Sequence, residues 1–184
     1  MKKVISLFLV LSLMFCGSIN AFAAENESND RPGVTVTEIP FVQQNRDIGI
    51  ETRGVTPPSN TWDLSDGDYS GTFNFDTSIF TNNKFSNHDG NIYVTLYSEI
   101  EEDDPNNFTE GYCMEVNLCR KGLLGDSVYE STVEVEIGKS WIVSFTNWDP
   151  DTEYYIIFSQ PYSHRAWHVD GNFTVSKTDP KGGA

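Results

Sequence analysis

Carboxylates are the groups in this chain best placed to do chemistry. Glu99, Glu101, Glu102, Asp103 and Asp104 form one run, and Asp63, Asp66 and Asp68 another. Glycoside hydrolysis needs two carboxyl groups about 5–9 Å apart, one kept protonated, and Glu99 with Glu110 is the pair that would serve. Loops rich in Asp and Asn also offer hard oxygen ligands to Ca2+. Asp63-Leu64-Ser65-Asp66-Gly67-Asp68 departs from the residue order of an EF-hand loop, and solvated, self-repelling loops explain both runs more simply. The expectation is no cofactor, with Ca2+ as the one ion that the acidic loops would suit.

Other reactive groups are sparse. His164 and His168 lie four apart, about 13 Å on an extended segment, too far to share one metal, and with His88 they read as solvated loop residues. No Gly-x-Ser-x-Gly elbow marks a nucleophilic serine. After Cys16 the cysteines are Cys113 and Cys119. On one strand they stand about 20 Å apart, against the Cα separation under about 7 Å that a disulfide requires, so no bond between them is expected.

Aromatic rings are the better lead. Tyr93 and Tyr97 share the polar face of one strand, and Tyr155 lies on the face opposite Tyr154. Trp62, Tyr162 and Trp167 fall in expected loops, Trp167 close to Arg165. Exposed rings stack on sugars or anchor a protein partner, and Tyr93 and Tyr97 at about 13 Å would span about two or three sugar units. The candidate contact residues are therefore Tyr93, Tyr97, Tyr155, Arg165 and Trp167, with an extracellular glycan or a protein surface as partner. The competing reading has these rings cover a second sheet face or pack within loops.

The elements that must position these groups follow a period of two from Trp62 onward. Tyr69, Phe73 and Phe75 share one face, as do Ile92, Val94 and Leu96 with Tyr93, Thr95 and Tyr97 opposite. Met114, Val116 and Leu118, then Val133, Val135 and Ile137, then Trp141, Val143 and Phe145 repeat the pattern. Tyr154, Ile156 and Phe158, and finally Phe173 and Val175, complete it. Strict alternation over four to eight residues marks half-buried antiparallel strands. Turn chemistry separates the runs, as in Asp89-Gly90-Asn91, Lys121 to Asp126, and Asp170-Gly171-Asn172. The fold expected is all-β, an antiparallel β-sandwich of the jelly-roll kind with about seven or eight strands and no substantial helix. Its core is expected at Phe73, Phe75, Val94, Leu96, Val116, Leu118, Val135, Phe145, Tyr154, Ile156 and Phe158.

Lys2 and Lys3 precede an apolar run from Val4 to Phe15, and Ala21-Phe22-Ala23 offers small residues for cleavage after Ala23. Residues 1–23 thus read as a signal peptide and the rest as secreted. Phe15 stands before Cys16, where a lipid-attachment site wants a small residue. Residues 24–61 read as an extended leader whose Val34–Ile39 run suits an edge strand, or equally as a flexible linker, with 62–178 as the sandwich and 179–184 as a tail. The chain of 184 residues has 12 Lys and Arg against 27 Asp and Glu, a formal net charge of −15 and a pI near 4.3. That balance excludes a nucleic-acid binder, which needs clustered cations, and argues against docking on an anionic membrane surface. No later run reaches the length of a membrane span, so membrane insertion is not expected.

Two local patterns carry resemblances. Trp148-Asp149-Pro150-Asp151-Thr152-Glu153-Tyr154 resembles the tyrosine corner of fibronectin type III sandwiches, which implies a buried Tyr154 whose hydroxyl reaches back to the backbone. Over about residues 68–176 the order of segments resembles the bacterial pre-peptidase C-terminal domain. The matching segments are Tyr69 to Phe75, Gly90-Asn91-Ile92-Tyr93-Val94-Thr95-Leu96, Tyr112 to Leu118 with Lys121-Gly122, Thr152 to Phe158, and Gly171-Asn172-Phe173-Thr174-Val175. That resemblance implies a jelly roll that serves as a non-catalytic, surface-binding appendage. The function expected is a secreted, non-enzymatic binding module for extracellular glycan, cell wall or a protein surface. The alternative is a small secreted hydrolase using a carboxylate pair.

Overall fold

The computed structural model describes residues 31–40, 50–52, 54–100, 111–161 and 168–182. Within them lie twelve strands and no helix: β1 (Gly33–Ile39), β2 (Ile50–Glu51), β3 (Asn60–Asp63), β4 (Tyr69–Phe75), β5 (Ser78–Phe80), β6 (Asn83–Ser86), β7 (Ile92–Ile100), β8 (Cys113–Lys121), β9 (Ser127–Glu136), β10 (Ser140–Thr146), β11 (Tyr154–Ser159) and β12 (Val169–Ser176). They form two sheets, ordered β1-β10-β7-β12-β4-β2 and β3-β6-β11-β8-β9.

Eight of these strands make the framework. The chain visits β4, β7, β10 and β12 in the first sheet and β6, β8, β9 and β11 in the second, in orders β10-β7-β12-β4 and β6-β11-β8-β9. That interleaving is the double Greek key of a jelly roll, so the all-β sandwich expected from periodicity is the fold observed. Additional strands extend the edges. The Val34–Ile39 run supplies β1, which pairs antiparallel with β10, while β2 and β3 pair parallel with β4 and β6. Between β5 and β6 the ladder against β11 is carried by Thr81, whose N–H donates to the Ile156 carbonyl and whose hydroxyl accepts from the Ile156 N–H.

The core lies between the sheets, and its phase is the one the sequence dictates. Val94 and Leu96 of β7 are buried while Tyr93 and Tyr97 stand on the opposite, half-buried face. All eleven expected core residues are buried. An aromatic spine joins the layers: Phe73 of the first sheet meets Phe158 of the second with ring centroids 4.6 Å apart, and Phe158 meets Phe173 at 5.1 Å. Such pairs add about 0.5–1.5 kcal/mol each beyond the area they bury.

The turn from β10 to β11 is fixed by packing and a close backbone approach. Trp148 packs edge-on against Tyr154, centroids 6.0 Å apart. Burial pushes the Tyr154 phenol upward, and contacts with the Thr152 side chain and the Asp149 backbone pull it partly back. The Trp148 N–H donates to the Gly90 carbonyl at 2.9 Å. Gly90 has φ 67°, and a Cβ there would stand 2.2 Å from the Trp148 carbonyl oxygen. Backbone cannot yield as a side-chain tip can. Gly90→Ala is expected to cost about 2 kcal/mol or more in urea unfolding. Gly67→Ala, at φ 137° with nothing within 4 Å, should carry backbone strain alone and cost less. Equal losses would refute the steric account.

Candidate functional site

The alternation that sends Met114, Val116 and Leu118 inward sends Glu115, Asn117 and Cys119 of β8 to the outer face of the second sheet. The neighbouring β11 places Tyr155, Ile157 and Ser159 on that face, paired with Cys119, Asn117 and Glu115 respectively. The face has an apolar half and a polar half. In the apolar half, Cys119, Tyr155 and Ile157 are fully buried, with Phe80 stacked on Tyr155 at 6.0 Å.

A directed line of hydrogen bonds runs through the polar half. The Thr132 hydroxyl donates to Asn117 Oδ1 at 2.7 Å. Asn117 Nδ2 donates to Ser159 Oγ at 2.9 Å and to the Ile157 carbonyl at 3.1 Å. Ser159 Oγ in turn donates to Glu115 Oε2 at 2.8 Å. Asn117 is only 1% exposed, so these three bonds offset the cost of burying its amide. Above the line lies an open cavity of about 650 Å³, walled by Glu115, Asn117, Thr132 and Gln160, with Asp76 and the Tyr129 ring on its border. Tyr129 is 57% exposed. Asp76 Oδ1 lies 2.5 Å from His168 Nδ1. Within the line each donor is already spent on the next residue, so what the line itself offers a ligand is oxygen acceptors. Thr77, Ser78, Tyr129 and Gln160 add hydroxyl and amide groups to the lining.

The expected contact residues do not gather in one place. Tyr93 and Tyr97 lie on the outer face of the first sheet, both half-buried, and the Tyr97 hydroxyl donates to Glu99 Oε2 at 3.0 Å. Burial and the charge of Asp179 push the Tyr93 phenol upward. Tyr155 belongs to the other sheet. Its expected exposure is corrected: it does face outward, but Phe80, Ile157 and Cys119 pack with it, and its hydroxyl donates to Ser127 Oγ at 2.7 Å. Arg165, Trp167 and Glu110 lie outside the described residues. Glu99 pairs across the ladder with Asp170 in the first sheet, away from the cavity.

The Asp63–Asp68 run closes a turn, while Glu101 to Asp104 lie outside the described residues. Asp63 Oδ1 accepts from the Ser65 N–H at 2.8 Å and its hydroxyl at 2.7 Å, and these bonds hold the Asp63 carboxyl below the usual range. Asp149 is lowered in the same way, by Thr152 and then Asp151. Among the described residues, no three His, Cys, Asp or Glu side chains come together as a metal site.

The sequence reading missed Glu115, Asn117, Thr132 and Tyr129. The available signal was Asn117, an amide set between Val116 and Leu118 in the middle of β8. Comparison of the chain with protein-family models, with curated proteins and with solved structures finds no match.

Among the described residues Cys113 opens β8 and Cys119 lies two residues short of its end; both are unpaired, Cys113 partly exposed and Cys119 buried. Burial, and then the charge of Glu130, push the Cys119 thiol up from 9.0 to about 12. A thiol held protonated by the fold contributes its full stability below the unfolded pKa and loses it as pH rises toward the folded one. Unfolding free energy should therefore fall from about pH 9 by up to about 1.4 kcal/mol per pH unit. Cys119→Ala should reduce the slope between pH 9 and 10 to what Cys113, also raised by burial, contributes, before the raised phenols of Tyr69, Tyr93, Tyr154 and Tyr155 take over. An unchanged slope in that interval would show that Cys119 is not the group responsible.

Proposed function

We propose that this chain is an exported, non-enzymatic binding module that holds a neutral, hydroxyl-rich glycan in the cavity over β8, β9 and β11. The observation that carries the reading is the Thr132–Asn117–Ser159–Glu115 line with the exposed Tyr129 ring beside it. The acceptors of that line suit a ligand that brings hydroxyl donors, and a tyrosine face suits the C–H side of a sugar ring. A cavity of about 650 Å³ is of the size that binds small molecules or a short stretch of polymer.

Charge narrows the ligand. Asp76 and Glu115 border the cavity of a chain with net charge −15, so uronates and phosphate-bearing wall polymers would meet like charge. Export rests on the Lys2–Lys3 region, the Val4–Phe15 run and the Ala21-Phe22-Ala23 site. A surface-binding role agrees with the resemblance of residues 68–176 to pre-peptidase C-terminal domains. The cavity is preferred over the Tyr93–Tyr97 face because it presents an open, exposed ring, whereas those two tyrosines are half-buried.

A second reading, a small hydrolase, is favoured by one feature: two carboxylates, Asp76 and Glu115, border the same cavity. One experiment separates the two. Retention on a panel of insoluble neutral polysaccharides should fall about tenfold in Tyr129→Ala with the melting temperature unchanged, and fall again in Glu115→Gln. Tyr97→Ala should bind as wild type does. Retention lost only in Tyr97→Ala would move the site to the first sheet. Release of soluble sugar by the wild type, abolished in Glu115→Gln, would make the chain a hydrolase.

A further inference from the structure

The hairpin between β8 and β9 ends in Gly122-Leu123-Leu124-Gly125, and both leucine side chains stand clear of the protein, 106% and 96% exposed. The turn is closed by backbone alone: the Gly122 N–H donates to the Asp126 carbonyl at 2.8 Å and the Gly125 N–H to the Gly122 carbonyl at 3.0 Å. Gly125 supplies the positive φ, 86°, that the turn needs. Nothing in this geometry asks for an apolar side chain at either central position, where polar residues serve equally well. The pair is a protrusion and not a patch left over from the core.

We propose that Leu123 and Leu124 form a peripheral lipid anchor that dips into the boundary between headgroups and acyl chains of an uncharged bilayer surface. Two observations favour lipid over a protein occupant, and a third favours an uncharged surface. The tip is convex, and a fluid interface accepts such a shape without a preformed pocket. Two leucine side chains offer far less than the roughly 1,000 Å² that a specific protein interface buries, so a second copy docked through this tip alone would not hold. The hairpin is also electrically balanced. Arg120 and Lys121 face Asp126 and Glu130, and Arg120 pairs with Glu130, while the whole chain carries −15. The tip is thus a neutral point on an acidic body, and the body's charge disfavours anionic lipid. This is contact with a surface. No helix among the described residues is long and apolar enough to cross a membrane.

The test uses the chain from Ala24 onward, which keeps all twelve strands and removes the Val4–Phe15 run that would itself bind lipid. The probe is flotation with phosphatidylcholine vesicles, read against vesicles containing phosphatidylserine. The wild type should float with phosphatidylcholine, and the double variant Leu123→Ser/Leu124→Ser should lose about a hundredfold in partition, about tenfold per leucine. Both side chains are solvated, so circular dichroism and the melting temperature should not change. Added phosphatidylserine should weaken binding. Absence of wild-type flotation, or equal flotation of the variant, would overturn the proposal. So would a concentration-dependent dimer that the double variant abolishes, because the occupant would then be a second copy.

Discussion

The contact of Phe158 with Phe73 and Phe173 sets more of this structure than its own area suggests. It joins the central strand β11 of one sheet to β4 and β12 of the other. A strand has a side-chain period of two, so fixing Phe158 inward also fixes Ile157 and Ser159 outward. Through the ladder the same choice places Asn117 opposite Ile157 and Glu115 opposite Ser159. The polar line on the outer face is therefore a consequence of how the core is filled. A slip of one residue would bury Ser159 among phenylalanines and abolish line and core together.

What the sequence made legible follows from the same period. In β7 the two faces differ in chemistry, and alternation alone puts Val94 and Leu96 inside and Tyr93 and Tyr97 outside. In β11 the faces do not differ. Tyr154 through Phe158 are all buried, because a central strand with both faces covered reads as a continuous apolar run. The phase of Tyr155 was readable there and its burial was not. The short strands β2, β3, β5 and β6 hold too few residues to show a period, and their pairing is set by tertiary contacts. The site escaped notice for a related reason. Glu115 and Asn117 in the outward phase of β8 look like any solvated face until β9 and β11 bring Thr132 and Ser159 beside them. Tyr129 is displaced by the register shift between Leu118 and Cys119, which the linear sequence does not mark.

Charge is distributed with a similar economy. Lys84 pairs with Glu153, which also accepts from the Thr61 hydroxyl at 2.7 Å, tying β3 and β6 to the start of β11. Lys139 lies 2.7 Å from Glu136 and 3.6 Å from Glu38, joining β1 to the β9–β10 turn. Each such surface pair contributes about 0–1 kcal/mol, so their effect on stability is small. Their effect on the surface is larger. With these cations engaged, the excess carboxylates define the field that an approaching molecule meets. That field favours an uncharged or cationic partner, in keeping with the neutral glycan proposed for the cavity and the uncharged lipid surface proposed for the hairpin.

A ligand in the cavity, as proposed, would meet a wall that needs little adjustment. Loop-borne polar groups lose rotamer freedom when a ligand arrives, and that loss subtracts from affinity. Here Asn117 is locked by three hydrogen bonds within the central strands of a sheet, and it orients Ser159, which orients Glu115. The ordering takes place during folding, because an amide buried in this position without those bonds would destabilise the sheet by about 1–3 kcal/mol. Stability and the proposed recognition are thus coupled through one side chain. Removing the Asn117 amide would disorder the wall and weaken the sheet at once, whereas Tyr129 lies outside the line and is 57% exposed.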